Sequence, residues 1–277
     1  MQPHHLALGP VRTRYFEAGN PAGPTVMLLH DGGYGGDAPN TYGRMIAPLA
    51  DDYRLVLPEM LGFGGTDKAV FFGENPYAPR LRHLAAFMDA LSLEDVHLVG
   101  NSFGGGVSLH MSLSKQISWR LRSVTSISGT GGPFRRDEAL KDMAQYHPDI
   151  ENARRIDGWI LPPDVTDEEH SQQRLASSQR AGQWESMAAM TLRSPIEQAA
   201  QPSGAPRFPE VLANSTLPTL LIVGTQDKML EPGWENQLSP HLPDVRVEHL
   251  EAGHSPNISH PQETARVLRS FIEEVRA

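Results

Sequence analysis

The 277-residue chain contains no cysteine, which excludes disulfides, thiolate metal sites and a cysteine nucleophile. No apolar run approaches the roughly 18 residues needed to span a bilayer. Lys and Arg number 24 against 33 Asp and Glu, for a formal net charge of −9, and no basic run stands out. Nucleic acid and anionic membranes are therefore poor partners, and a small-molecule ligand is expected instead. The 12 histidines form no H-E-x-x-H or similar pairing, and no Gly-rich dinucleotide fingerprint follows the first apolar runs. Neither a metal nor a nicotinamide or flavin cofactor is expected. No basic stretch leads into an apolar one at the start, so no secretory signal is expected, and cytoplasmic location is the working expectation. His4-His5 reads as a flexible tail. Repeats and low-complexity tracts are absent.

What is present is an alternation of strands and helices. Thr25–Leu29, Arg54–Leu57, Val96–Val99, Leu121–Ser128, Thr219–Gly224 and Val245–Leu250 are apolar enough for strands of a parallel sheet covered on both faces. Val11–Glu17 reads as an earlier, antiparallel strand. Tyr77 to Leu91 carries Leu81, Leu84, Ala85, Met88 and Leu91 at helical spacing, and the C-terminal segment carries Val267, Leu268, Phe271, Ile272 and Val275 likewise. This order predicts an α/β fold with a mostly parallel, doubly wound sheet. From Phe134 to about Leu212 the rhythm breaks into charged, Gln- and Met-rich sequence without a strong strand. That stretch is too long for one crossover. It is read as a helical cap, residues 134–212, inserted into a core of residues 1–133 and 213–277.

The chemistry centres on Gly100-Asn101-Ser102-Phe103-Gly104. An apolar strand precedes it and a helix, expected over Val107–Leu113, follows it, which is the context of a G-x-S-x-G nucleophile elbow. A serine hydroxyl needs a base within hydrogen-bond reach, and the base needs an orienting acid. Asp227 lies three residues beyond the strand ending at Gly224, and His254 follows the next strand. The chain order Ser, Asp, His and the placement at strand C-termini predict a Ser102–Asp227–His254 triad. The Phe103 amide and the amides of Gly32 and Gly33, in the loop after Thr25–Leu29, are expected to form an oxyanion hole. His30 is read as a buttress of that loop.

These motifs resemble the α/β-hydrolase superfamily over nearly the full length. Within it the chain looks most like the meta-cleavage product hydrolases, which split C–C bonds in ring-opened aromatic dienoates. The closer likeness rests on Leu98–Gly106, with asparagine before the serine, on Met60-Leu61-Gly62-Phe63-Gly64, and on Ser178–Met187. It implies that the enol substrate tautomerises to a ketone, which the serine or its activated water attacks, with carbon as the leaving group. It also implies that Asn40, Asn101 and Arg180 hold the oxygen-rich, carboxylate end of the substrate, and that the protein is a dimer or larger.

Met143, Trp184, Met187 and Met190 are read either as the apolar lining of a substrate pocket or as ordinary cap core. Two departures bear on the substrate. Asp31 stands where the family has a glycine beside the oxyanion hole, and would repel a carboxylate unless it points away. Ser255 stands where tryptophan commonly follows the histidine, as in many esterases and lactonases. Alternative readings therefore stay open: a carboxylesterase or enol-lactonase using the same triad, or a cofactor-free oxygenase or ligand receptor on the same fold.

Overall fold

Eight strands form a single sheet: β1 (Gln2–Leu8), β2 (Val11–Gly19), β3 (Thr25–Leu29), β4 (Arg54–Pro58), β5 (Val96–Asn101), β6 (Leu121–Ile127), β7 (Thr219–Gly224) and β8 (Val245–Leu250). The computed structural model describes residues 1–70, 75–189 and 207–277. The spatial order is β1-β2-β4-β3-β5-β6-β7-β8. β2 runs antiparallel to both β1 and β4, and the strands from β4 through β8 pair in parallel. The chain begins to the left of β3 and reverses toward β5. The crevice at that switch lies at the strand C-termini, where ligands bind in such sheets.

Alternation along each strand divides the core into two layers. In β3, Met27 and Leu29 face the layer containing Leu84 and Phe87 of the helix Tyr77–Ala90. Val26 and Leu28 face the opposite layer, which the helix Pro261–Arg276 covers with Ala265, Leu268, Phe271 and Ile272. Both faces are buried, which is why these strands read as continuous apolar runs. His4 and His5 belong to β1, not to a flexible tail, and pair with Tyr15 and Arg14 across a hairpin. That strand is exposed over its first half, so it carries no apolar alternation. The Gly9-Pro10 pair between Leu8 and Val11 was the signal that could have revealed it.

Between β6 and β7 the described residues hold the α-helices Asp137–Met143, Ile150–Ile160, Glu168–Ser178 and Gln183–Ala188, and no strand. A fully buried arginine ties this segment to the sheet. Arg174 donates from Nε to Asp157 Oδ1 at 3.0 Å and from Nη1 to the Tyr34 carbonyl at 2.9 Å, and its Nη2 lies 3.6 Å from Asp31 Oδ2. Tyr34 stacks on Tyr146 with centroids 4.5 Å apart, and Ser177 Oγ donates to Asp37 Oδ2 at 2.8 Å. Removing one partner of a buried ionic cluster strands the others without solvent. Arg174→Ala is expected to cost about 3–5 kcal/mol of stability, read as a shift of the urea-unfolding midpoint. A change within the noise of the midpoint would show that the cluster is not holding the two layers together.

Candidate active site

Ser102 occupies the turn between β5 and the helix Phe103–Met111 with φ 54° and ψ −116°. A non-glycine residue there is strained, and the neighbours make the conformation accessible. A Cβ on Gly100 would lie 2.1 Å from the Gly104 carbonyl oxygen, and one on Gly104 would lie 2.2 Å from the Leu29 carbonyl oxygen. Only glycines allow the helix to begin this close to β3. The helix starts immediately after the serine, four residues earlier than the sequence pattern indicated, because three successive glycines, Gly104–Gly106, hide its apolar periodicity.

The hydroxyl of Ser102 is 2.8 Å from His254 Nε2, and His254 Nδ1 is 2.8 Å from Asp227 Oδ2. With Nδ1–H donating to the carboxylate, Nε2 is left as the acceptor for the serine proton, the state required of a base. Burial alone would raise the Asp227 carboxyl. The His254 ring and the amides of Met229 and Leu230 outweigh it and hold the carboxyl below the usual range.

These residues open onto a cavity of about 690 Å³, whose lining includes Gly32, Phe63, Tyr77, Ser102, Phe103 and His254. Leu140, Met143, Ala144 and Met187 close it from the segment between β6 and β7. Met143 and Met187 are thus cavity lining as well as core, while Met190 lies outside the described residues. Gly32 and Gly33 come from the loop after β3, and Gly32 packs against Phe103. A Cβ on Gly32 would sit 2.6 Å from Phe103 Cβ, so the loop comes this close to Phe103 only because position 32 has no side chain. Among the described residues the Gly32 and Phe103 amides have no hydrogen-bond acceptor. The Gly33 amide already donates to Asp31 Oδ1 at 2.7 Å, so the expected hole reduces to Gly32 and Phe103.

The expected substrate contacts are elsewhere. Arg180 is exposed and borders a separate depression with Arg14, Asp37 and Asn40. It falls beyond the helix Glu168–Ser178, on the outer side. Asn40 is buried and donates to the carbonyls of Gly35 and Gln173 at 2.8 and 3.4 Å. Asn101 is fully buried; it donates to the carbonyls of Ile127 and His254 at 3.2 and 3.3 Å and accepts from Ser255 Oγ at 3.1 Å. It fastens the histidine loop to the end of β6. Trp184 donates to the Tyr146 carbonyl at 2.9 Å. None of the four lines the cavity. Sequence reading passed over Arg80 and Arg135, which do line it. Arg135 directly follows the Gly-rich turn after β6, a position that carried a signal.

Asp31 points away from the cavity. Its carboxylate accepts from the Gly33 amide and from Thr41 Oγ1, at 2.7 and 2.8 Å, beside Arg174. Burial would raise this carboxyl, but the Arg174 charge and those donors hold it below the ordinary range. His30 donates from Nδ1 to the Asp31 carbonyl at 2.7 Å and accepts from the Met60 amide at Nε2, 3.0 Å away. It braces the loop, as its place in the sequence suggested.

A strained serine at a strand–helix turn, a histidine and a carboxylate in chain order, and a mostly parallel sheet define an α/β hydrolase. Residues 26–267 match the alpha/beta hydrolase family, and the chain belongs to it. It is 28% identical over 276 residues to the 2-hydroxymuconate semialdehyde hydrolase of Pseudomonas sp. (strain CF600), covering 96% of this chain and 92% of that one. It is 26% identical to Lipase 1 of Psychrobacter immobilis, covering 95% and 82%. Among solved structures it resembles the meta-cleavage product hydrolase of Pseudomonas fluorescens IP01 with a TM-score of 0.82 and 27% identity, covering 99% of this chain and 98% of that chain. Among the described residues, no helix is long and apolar enough to cross a membrane.

The carboxyls of Asp31, Asp157 and Asp227 are all lowered in the folded chain. The unfolded chain therefore takes up protons first as acid is added. Their stabilisation is complete above about pH 4 and is lost as pH falls through the folded values. The melting temperature is expected to drop steeply below about pH 4, and less steeply in Asp31→Asn. Parallel profiles for the two proteins would remove Asp31 from this account.

Proposed function

We propose that this chain is a serine-dependent hydrolase that cleaves a C–C bond in a ring-opened dienoate of the 2-hydroxy-6-oxo type. The observation that carries the reading is the pair of 2.8 Å hydrogen bonds linking Ser102, His254 and Asp227 at the wall of an arginine-bearing cavity. The names of the full-length relatives support the substrate class.

In this reading His254 takes the proton of Ser102 as its oxygen attacks the ketone formed by tautomerisation of the dienol. The amides of Gly32 and Phe103 receive the resulting oxyanion. Collapse breaks the C–C bond, and its electron pair passes along the conjugated carbons to the 2-oxo oxygen, so that the leaving group departs as a dienolate. A proton returns to it from His254. Water, activated by the same histidine, then hydrolyses the acyl-serine. Asp227 keeps the ring oriented and favours its protonated form. The described residues 134–189 act as a cap over the cavity, which excludes water while the dienolate is present.

A second reading, hydrolysis of a small carboxylic ester or lactone with the same triad, is favoured by one observation. Asn40 and Asn101 are committed to backbone carbonyls rather than to the cavity. Stopped-flow absorbance with a 2-hydroxy-6-oxo-dienoate, beside a short-chain p-nitrophenyl ester, separates the two. The C–C reading expects fast bleaching of the dienoate and slow ester turnover; the reverse result would replace it with the ester reading. Ser102→Ala is expected to lower kcat by about 10⁴–10⁶ while dienoate binding, read by its absorbance shift, persists. A loss below about tenfold would remove Ser102 as the nucleophile and return attention to histidine-centred chemistry.

A further inference from the structure

The chain carries net charge −9, yet its cavity is lined by two arginines, Arg80 and Arg135, and by no Asp or Glu among the described residues. The two arginines are differently placed. Arg80 is buried and donates from Nε and Nη1 to the carbonyls of Leu61 and Pro76, both at 3.1 Å. Its guanidinium also lies near the rings of Phe63 and Phe103, at 5.8 and 6.0 Å. Arg135 is half-buried, and among the described residues the one hydrogen-bond partner of its guanidinium is Tyr77 Oη, at 3.2 Å from Nη2.

The backbone around Arg135 is fixed. It bridges Leu230, and the flanking bonds Arg136 N–H to Met229 O and Glu231 N–H to Phe134 O measure 3.0 and 2.9 Å. The same Met229–Leu230 segment supplies the amides that hold Asp227. The side chain of Arg135 therefore leaves from a rigid point beside the loop that holds Asp227, and no acidic side chain among the described residues neutralises it. Tyr77 is equally fixed. Its ring stacks on Phe103, the residue after Ser102, with centroids 5.2 Å apart. Its oxygen accepts from Arg135, which leaves the hydroxyl proton to be donated elsewhere.

We propose that Arg135 and Tyr77 form the subsite that holds a carboxylate of the substrate, the guanidinium and the phenol O–H donating to it together. This rests on the hydrolase reading above but not on its C–C specificity. Buried Arg174 is engaged by Asp157, Asp31 and the Tyr34 carbonyl, and Arg180, expected from the sequence to hold the carboxylate, is exposed outside the cavity. A partly desolvated guanidinium with a fixed neighbouring hydroxyl favours a planar oxyanion over a neutral group.

The test compares p-nitrophenyl hemiglutarate, which carries a free carboxylate, with neutral p-nitrophenyl valerate. The wild type is expected to favour the anionic ester in kcat/KM. Arg135→Gln should lower the anionic-to-neutral ratio about 10–100-fold, mainly through KM, and Arg135→Lys should restore part of it. Tyr77→Phe should lower the ratio by a smaller factor. An unchanged ratio in Arg135→Gln overturns the subsite, as does an equal fall for both esters, which marks a purely structural role. Should Arg135→Gln fail to fold, competitive inhibition of the wild type by hexanoate against hexanamide gives the same information. Stronger inhibition by the acid supports the subsite, and equal inhibition overturns it. If dienoates are not turned over but the ester ratio responds as expected, the C–C reading fails and the subsite stands.

Discussion

The contact of Gly104 with the end of β3 is the constraint on which the site depends. Because no Cβ stands between Gly104 and the Leu29 carbonyl, the helix Phe103–Met111 begins directly at the serine and its first amide faces the loop after β3. That one approach goes with the strained Ser102 backbone and the packing of Gly32 against Phe103. A side chain at position 104 would push the helix away from β3 and displace Ser102 and Phe103 with it. The positive end of the helix then adds its field to the same point.

Around that contact, polar residues expected to touch substrate serve as scaffold. Asn101 spends its amide on the ends of β6 and the histidine loop, so the His254 backbone is fixed relative to the residue before the nucleophile. The 2.8 Å contact of His254 with Ser102 is a consequence of this second link as much as of the elbow. Asp31 acts in the same manner one loop away. Its carboxylate fills the hydrogen-bonding need of Gly33 and leans on Arg174, which carries the helix Glu168–Ser178. The oxyanion loop and the segment over the cavity are thereby held through one buried ionic cluster.

The sheet, the elbow and the order of serine, aspartate and histidine were legible in the sequence because each has a local signature. Buried parallel strands are continuous apolar runs, and the elbow requires glycine at fixed offsets. What was not legible is direction in space. Arg174 and Arg180 stand six residues apart in the same polar stretch, and nothing in the spacing says that one points inward and the other to solvent. The helix that carries Arg174 has a weakly apolar, Ser-rich buried face with His170, Ser171, Ser177 and Ser178, so no hydrophobic stripe marks its inner side. Asp31 posed the same difficulty: its type is plain from sequence, but its partner comes from a helix more than a hundred residues away.

The distribution of charge follows from these placements. The cavity lining carries Arg80 and Arg135, while the carboxylates of Asp31 and Asp227 are each covered by donors. The Asp227 carboxylate is covered by the His254 ring and by the Met229 and Leu230 amides. Were Asp31 oriented into the cavity, it would oppose both the oxyanion and any substrate carboxylate, in a medium where such repulsion is weakly screened. Its burial against Gly33 and Arg174 is therefore what makes an acidic residue compatible with an oxyanion loop. The same hydrogen bond engages the Gly33 amide, while the Gly32 amide has no acceptor among the described residues.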